Sequence, residues 1–226
     1  MDPKDPWERV YGTQSADAVS WYQPHADRSL RLIEQAGMGP EAAIIDVGGG
    51  ASTLVDGLLA RGFRNITVLD LSDVALQAAR QRLGQRASAV QWRVADVTTA
   101  ELPRHGYDLW HDRAVFHFLM SPEDRQAYVR KVLHSVRPGG HVIVATFAED
   151  GPLQCSGLPV MRYDADGLHA EFGEAFTLVG HEREVHHTPM GSTQQFTYCY
   201  CRKALGGGVA VCSQHHLSGR GLATGR

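Results

Sequence analysis

Three aspartates in the first half of the chain have the type and setting to hold a polar ligand. Asp46 stands inside Ile44-Ile45-Asp46-Val47-Gly48-Gly49-Gly50-Ala51-Ser52-Thr53, where two β-branched residues lead into a carboxylate, three glycines and an apolar helical run. Asp70 ends a second hydrophobic stretch, Ile66-Thr67-Val68-Leu69. Asp96 follows a third, in Val94-Ala95-Asp96-Val97. Strand, glycine turn, helix, strand and terminal carboxylate is the layout of a nucleoside-binding α/β unit. Glycines let backbone and ligand approach closely, and a carboxylate at the end of the second strand accepts hydrogen bonds from ribose hydroxyls. Leu71 would then lie against the base. A carboxylate within the turn itself disfavours a pyrophosphate and favours a cationic ligand.

A second group of candidates lies in Tyr107-Asp108-Leu109-Trp110-His111-Asp112-Arg113-Ala114-Val115-Phe116-His117-Phe118-Leu119. Histidine is the side chain suited to removing a proton near neutral pH, so His111 or His117 is a candidate base. Asp112 would orient a histidine or a cationic substrate, and Arg113 would bind an anionic one. The structural alternative is an Asp112–Arg113 ion pair with His117 as a hydrogen-bonded core residue. Asp108 reads as the start of the strand. Trp21, Tyr22 and His25 could form an aromatic lid that excludes water and attracts a cation, or simply pack an N-terminal helix. Cys155 lies in a long loop rich in turn formers, near the mouth of any such site. Cys199 and Cys201 alternate on a strand and share one face. Their spacing is not that of a structural zinc site, and small buried apolar residues is the reading taken for all three. His186-His187 and His215-His216 read as solvated.

The elements that must position these residues alternate. Ala43–Val47, Ile66–Asp70, Ala89–Val94, Tyr107–Trp110 and His141–Phe147 read as strands, with the fourth ending around His111. Between them, Leu54, Val55, Leu58 and Leu59 form a helical stripe that stops at Gly62. Ser72 caps a helix that closes at Gly84, and Ser121-Pro122 opens another, broken by Arg137-Pro138-Gly139-Gly140. Such alternation implies a parallel, doubly wound sheet. Phe176–His186 and Gln194–Lys203 are joined by too few residues for a helical crossover, so they form an antiparallel hairpin. Residues 1–37 form an N-terminal segment with a helix from Asp27 to Ala36, residues 38–205 the ligand-binding domain, and residues 206–226 a mobile Gly/Ser/His-rich tail.

The spacing Asp46-x-Gly48-x-Gly50-x-Ser52, with Asp70, Asp96 and the closing hairpin, resembles the class I S-adenosylmethionine-dependent methyltransferases. The likeness covers about residues 20–203. It implies an α/β fold of seven strands, mostly parallel, in the order 3-2-1-4-5-7-6, with S-adenosylmethionine as cofactor. It implies that Asp46 holds the ammonium end of the cofactor. Gly48, Gly49, Gly50 and Ser52 would form the turn, Asp70 would bind the ribose, and Asp96 and Val97 would meet the adenine. Ser52 stands where the family often has a third glycine. The run Trp110-His111-Asp112-Arg113 resembles one branch of that family, whose eukaryotic relatives include protein-lysine methyltransferases. No Asn/Asp-Pro-Pro-Tyr/Phe sequence follows the fourth strand, which argues against methylation of adenine bases or glutamine.

With 226 residues, 43% hydrophobic and 21% charged, the chain is one soluble-type domain with a real core. A net charge of −3 without basic runs favours no nucleic-acid partner. No run of 18 apolar residues suggests a membrane span, and the N-terminus resembles neither a secretory signal nor a transit peptide. Four cysteines are too few for a disulfide framework and suit a cytoplasmic protein. The expectation is a methyltransferase, monomeric or homodimeric and without a metal. Its catalytic set would be His111, Asp112, Arg113 and His117, with Trp21 on the cofactor and Tyr22, His25 and Cys155 on a small-molecule acceptor. A protein-lysine acceptor, a non-catalytic cofactor-binding protein and an NAD-dependent oxidoreductase are the alternatives.

Overall fold

The computed structural model describes residues 4–205. The tail expected at 206–226, with His215, His216 and Cys212, lies outside them. Two helices, α1 (Asp5–Thr13) and α2 (Asp27–Gln35), precede β1 (Ala43–Val47). The chain then alternates through α3 (Leu54–Ala60), β2 (Asn65–Asp70), α4 (Asp73–Leu83), β3 (Val90–Val94), β4 (Tyr107–Arg113), α5 (Pro122–Ser135) and β5 (Val136–Phe147). A short pair, β6 (Gln154–Cys155) and β7 (Leu158–Pro159), and α6 (Ala165–Phe172) lead to β8 (Phe176–His187) and β9 (Thr193–Lys203).

The sheet order is β3-β2-β1-β4-β5-β9-β8. Numbered within the sheet this is 3-2-1-4-5-7-6, and the sequence reading departs from it only in missing β6 and β7, which pair with each other outside the sheet. The first five strands run parallel, while β9 is antiparallel to both β5 and β8. Parallel strands are covered on both faces, so every residue of β1 is buried. Ile44 joins a core with Leu30, Ile33, Leu54, Leu58 and Leu76, whereas Ile45 and Val47 join the opposite core with Tyr128, Val132, Leu168 and Phe172.

The helix boundaries follow local chemistry. Ser72 Oγ accepts from Ala75 N at 3.1 Å to start α4, and Ser121 Oγ accepts from Asp124 N at 3.1 Å to start α5. Three features escaped the sequence reading. Helix α1 has Trp7, Val10 and Tyr11 on one face, but it is too short to announce itself by periodicity. Asp164 caps α6, its Oδ1 accepting from Gly167 N at 2.7 Å. The β6–β7 turn puts Ser156 and Gly157 at positive φ, the pattern of a tight two-residue hairpin. Two strands are longer than expected. Strand β5 begins at Val136 rather than His141, because the chain through Gly139 and Gly140 stays beside β4 with a register shift. Strand β4 runs to Arg113 rather than ending near His111. Among the described residues, no helix is long and apolar enough to cross a membrane.

Candidate active site

The carboxyl ends of β1, β2 and β4 open onto two adjoining cavities, which share Tyr11, Trp21, Gly48 and Arg113 in their walls. The first has about 780 Å³ of empty space, part of it open to solvent. Asp70, Leu71, Ala95 and Val97 line it, together with Trp7, Phe118, Leu119 and Cys155. The second, of about 540 Å³, is walled by Tyr22, Ser29, Asp46, Gly49, Ser52 and His111.

The glycine turn separates the two. Gly48 has φ +67°, and a Cβ there would lie 1.9 Å from a Val115 methyl. Gly50 has φ +37°, and its Cβ would meet Asp70 Oδ2 at 2.8 Å. Ser52 Oγ accepts from Leu54 N at 3.1 Å and opens α3.

Asp70 is half-buried at the edge of the cleft. Its Oδ1 accepts from Ser72 N at 2.8 Å, so the carboxylate is partly engaged by the start of α4. Burial pushes its carboxyl up to about 7, against the hydrogen bonds from Ser72 N and Gly50 N, with Asp46 adding repulsion. Asp96 Oδ1 accepts from both the N–H and the hydroxyl of Thr98 at 2.8 and 2.7 Å. Asp46 is buried. Its Oδ1 faces His111 Nδ1 at 2.7 Å, while its Oδ2 is buried without a hydrogen-bond partner.

The extra length of β4 alters the second candidate group. Side chains alternate along a strand, so His111 and Arg113 face the α2 side and Asp112 the α5 side. There Asp112 accepts from Val115 N at 2.9 Å, Phe116 N at 3.0 Å and the Tyr128 hydroxyl at 2.6 Å. Tyr128 in turn accepts from Trp110 Nε1 at 2.8 Å. Asp112 lines neither cavity and braces the turn in which Ala114 takes φ +73°. Burial pushes its carboxyl up to about 6.

Arg113 pairs with Glu184 rather than Asp112, at 3.3 Å. Its Nε donates to the Tyr198 hydroxyl at 2.9 Å, an Nη donates to Trp21 O at 3.1 Å, and the guanidinium lies over the Phe196 ring. His117 is fully buried, its Nδ1 accepts from Phe147 N at 3.2 Å, and it lines neither cavity. Burial and nearby Arg113 lower its pKa to about 3, so the ring is neutral.

Trp21 and Cys155 line the first cavity, Tyr22 the second. His25 is exposed and lines neither. Burial pushes the Cys155 thiol up to about 11, which makes it unreactive at neutral pH. Cys155 packs in one core and Cys199 and Cys201 in the other, so the sheet keeps them apart. Among the described residues no cluster of His, Cys, Asp or Glu could hold a metal ion. His186, expected in solvent, is buried with Nε2 2.8 Å from Ser20 O, because its strand packs against the N-terminal segment.

Sequence reasoning missed the roof. Trp7 stacks edge-on with Phe118 at 4.8 Å and Trp21 at 6.0 Å, and Tyr11 accepts from Trp21 Nε1 at 3.2 Å. Glu8 fastens this roof by accepting from Asp73 N at 2.8 Å, at the start of α4. The Trp7, Val10, Tyr11 spacing after Pro6 was the available signal.

Residues 44–140, which hold the glycine turn, Asp70, Asp96 and β4, match a family model described as a methyltransferase domain. The segment is thus similar to a methyltransferase domain. EEF1A lysine methyltransferase 2 of Danio rerio is 28% identical over 125 residues, 53% of this chain and 54% of that protein. An uncharacterized methyltransferase of Mycobacterium tuberculosis is 33% identical over 104 residues, 46% of this chain and 50% of that protein. The chain thus spans about half the length of these curated relatives. The segment with its flanking elements also superposes on 1,6-didemethyltoxoflavin-N1-methyltransferase of Burkholderia thailandensis, solved with 1,6-didemethyltoxoflavin and S-adenosylhomocysteine. That match has a TM-score of 0.67 at 20% identity and covers 89% of this chain and 87% of the other.

Proposed function

We propose that this protein is an S-adenosylmethionine-dependent methyltransferase acting on a small molecule. The observation that carries the reading is the pair of carboxylates flanking the glycine turn, with Asp46 Oδ2 buried and unpartnered and Asp70 in the wall of an aromatic-lined cavity. An orphaned buried carboxylate oxygen calls for a cation or a donor. The ammonium and ribose of S-adenosylmethionine meet both needs.

Asp46 would take the ammonium and Asp70 the ribose hydroxyls. Gly48, Gly49 and Gly50 leave room for the ligand, and Ser52 holds the turn. Leu71 and Val97 would flank the adenine, with Asp96 at its amino group. When bound, S-adenosylmethionine supplies a methyl carbon open to a nucleophile's lone pair as the carbon–sulfur bond breaks and its electron pair stays on sulfur. The chain's own part is alignment and exclusion of water. Trp7, Tyr11, Trp21 and Phe118 wall the acceptor side. His117, neutral and outside the cavity, gives no proton route. Asp112 shapes the Ala114 turn, and Arg113 ties the roof to β8 and β9.

The relative from Danio rerio favours a lysine acceptor as a second reading. Against it, among the described residues Arg113 is the one cation in the wall of the first cavity and Asp70 its one carboxylate, an unwelcoming setting for an ε-ammonium. The discriminating experiment is incubation with methyl-labelled S-adenosylmethionine and fractionated cell extract. Label in the low-molecular-weight fraction is expected. Label confined to protein would establish the lysine reading, and label in neither, with S-adenosylhomocysteine still binding, would leave a non-catalytic binding protein.

A further inference from the structure

Three buried polar side chains from three elements form a line behind the second cavity. Ser29, on the inner face of α2, has Oγ 2.8 Å from His111 Nε2. His111 Nδ1 is 2.7 Å from Asp46 Oδ1. Ser29, His111 and Asp46 are 1%, 3% and 2% exposed. Asp46 and His111 are register partners on adjacent parallel strands, which puts both side chains on the α2 face. All three residues line the cavity, and Asp46 Oδ2 is left without a partner.

An ionised carboxylate only accepts, so Nδ1 carries the proton it shares with Asp46. In the neutral ring, Nε2 is then an acceptor, and the Ser29 hydroxyl donates to it. Each member fixes the next. The carboxylate sets the ring's tautomer, Ser29 holds the ring's rotation, and the ring sets the carboxylate's rotation. Without His111 the carboxylate would be free to turn about its last bond, and Oδ2 would lose its fixed aim.

We propose that His111 and Ser29 are positioning residues that hold Asp46 Oδ2 ready for the cationic, amino-acid end of the cofactor. The inference rests on the S-adenosylmethionine reading above. It assigns His111 to ligand recognition rather than to proton removal from the acceptor, and it gives a role to a serine in a helix interior. Positioning partners of this kind sharpen a site by fixing tautomer and orientation.

The test is calorimetric titration of the whole chain with two ligands. S-adenosylhomocysteine carries the ammonium, and 5′-methylthioadenosine keeps the adenosine and sulfur but lacks the amino-acid end. His111→Phe is expected to weaken S-adenosylhomocysteine about tenfold or more, the scale of one lost charge-assisted contact. Its affinity for 5′-methylthioadenosine should stay within about twofold. Ser29→Ala should show the same selectivity at a smaller size, and His111→Asn, which keeps a donor toward Asp46, should recover part of the loss. Thermal melts of each variant establish folding, and Ser29→Ala serves if His111→Phe does not fold. Equal losses for both ligands would reduce the relay to packing and overturn the proposal, as would unchanged affinity for S-adenosylhomocysteine. If the unmodified protein binds 5′-methylthioadenosine but gains nothing from the amino-acid end, the relay's role fails while nucleoside binding stands. If it binds neither ligand, the cofactor reading falls, and the relay's role falls with it.

Discussion

The Gly50 backbone N–H donates to the Asp70 carboxylate, and a Cβ on residue 50 would stand 2.8 Å from Oδ2. The turn therefore shapes the carboxylate that faces the cleft. Gly50→Ala would add both this clash and strain at φ +37°. We expect it to weaken S-adenosylhomocysteine about tenfold or more by calorimetry, with a modest drop in melting temperature. An unchanged Kd would contradict the assignment of the turn.

Asp70 makes binding pH-dependent. Its carboxyl, raised to about 7, is half protonated near neutrality in the free protein. A ligand that donates hydroxyls to it prefers the carboxylate, so affinity should rise as pH climbs toward 7 and level off above it. On the acid side the loss should approach about tenfold per pH unit. Asp70→Asn should remove this slope, and Asp70→Ala should cost more than about 1 kcal/mol of binding free energy. A flat profile for the unmodified protein would reject the ribose assignment.

Asp112 belongs to stability. Asp112→Ala would strip acceptors from Val115 N, Phe116 N and the Tyr128 hydroxyl, all inside the core. The expected loss is about 3 kcal/mol in urea unfolding, with less lost in Asp112→Asn, which keeps one acceptor. A loss of binding without a loss of stability would place Asp112 at the ligand instead.

The Arg113–Glu184 pair joins β4 to β8, and Arg113 also holds the N-terminal segment through Trp21 O. Glu184 also receives the Tyr198 hydroxyl at 3.0 Å and Gln23 Nε2 at 3.0 Å. Glu184→Gln would leave the guanidinium without its counter-charge and should cost about 1–3 kcal/mol. Faster proteolysis between residues 14 and 24 should accompany it, and unchanged cleavage would show that the tie is dispensable.

Trp7 and Trp21 both line the first cavity. Binding of S-adenosylhomocysteine should change the protein's tryptophan fluorescence. Trp7→Ala should reduce the change, and an identical signal would place the ligand elsewhere.

What the sequence discloses here is what the backbone dictates. The placement of Asp46, Gly48 and Asp70 at the cavities is legible because they stand at strand ends and in a glycine turn. The fold was legible for the same reason, since alternating strands and helices admit few topologies. Asp112 departs from the expected site because β4 does not end at His111. With β4 continued to Arg113, period two sends Asp112 to the opposite face. Ser29 was invisible because a serine in a nine-residue helix signals nothing until its partner across the sheet is known. Arg113 looked like an anion site because Glu184 and Tyr198 lie far along the chain. His117 and His186 show the same limit, as burial is a property of neighbours.

The walls of the two cavities come from different stretches of chain. Asp46, the glycines, Asp70 and Val97 lie within the matched 44–140 segment, whereas Trp7, Tyr11, Trp21 and Cys155 lie outside it. On the proposed reading the nucleoside's carboxylates and glycines all fall inside that segment, while the acceptor's wall is shared between Phe118 within it and the flanking elements. Substitutions in α1 or in the β6–β7 turn can remodel the acceptor chamber while the strands beneath keep their register. A protein built this way can change what it modifies without relearning how to hold its reagent.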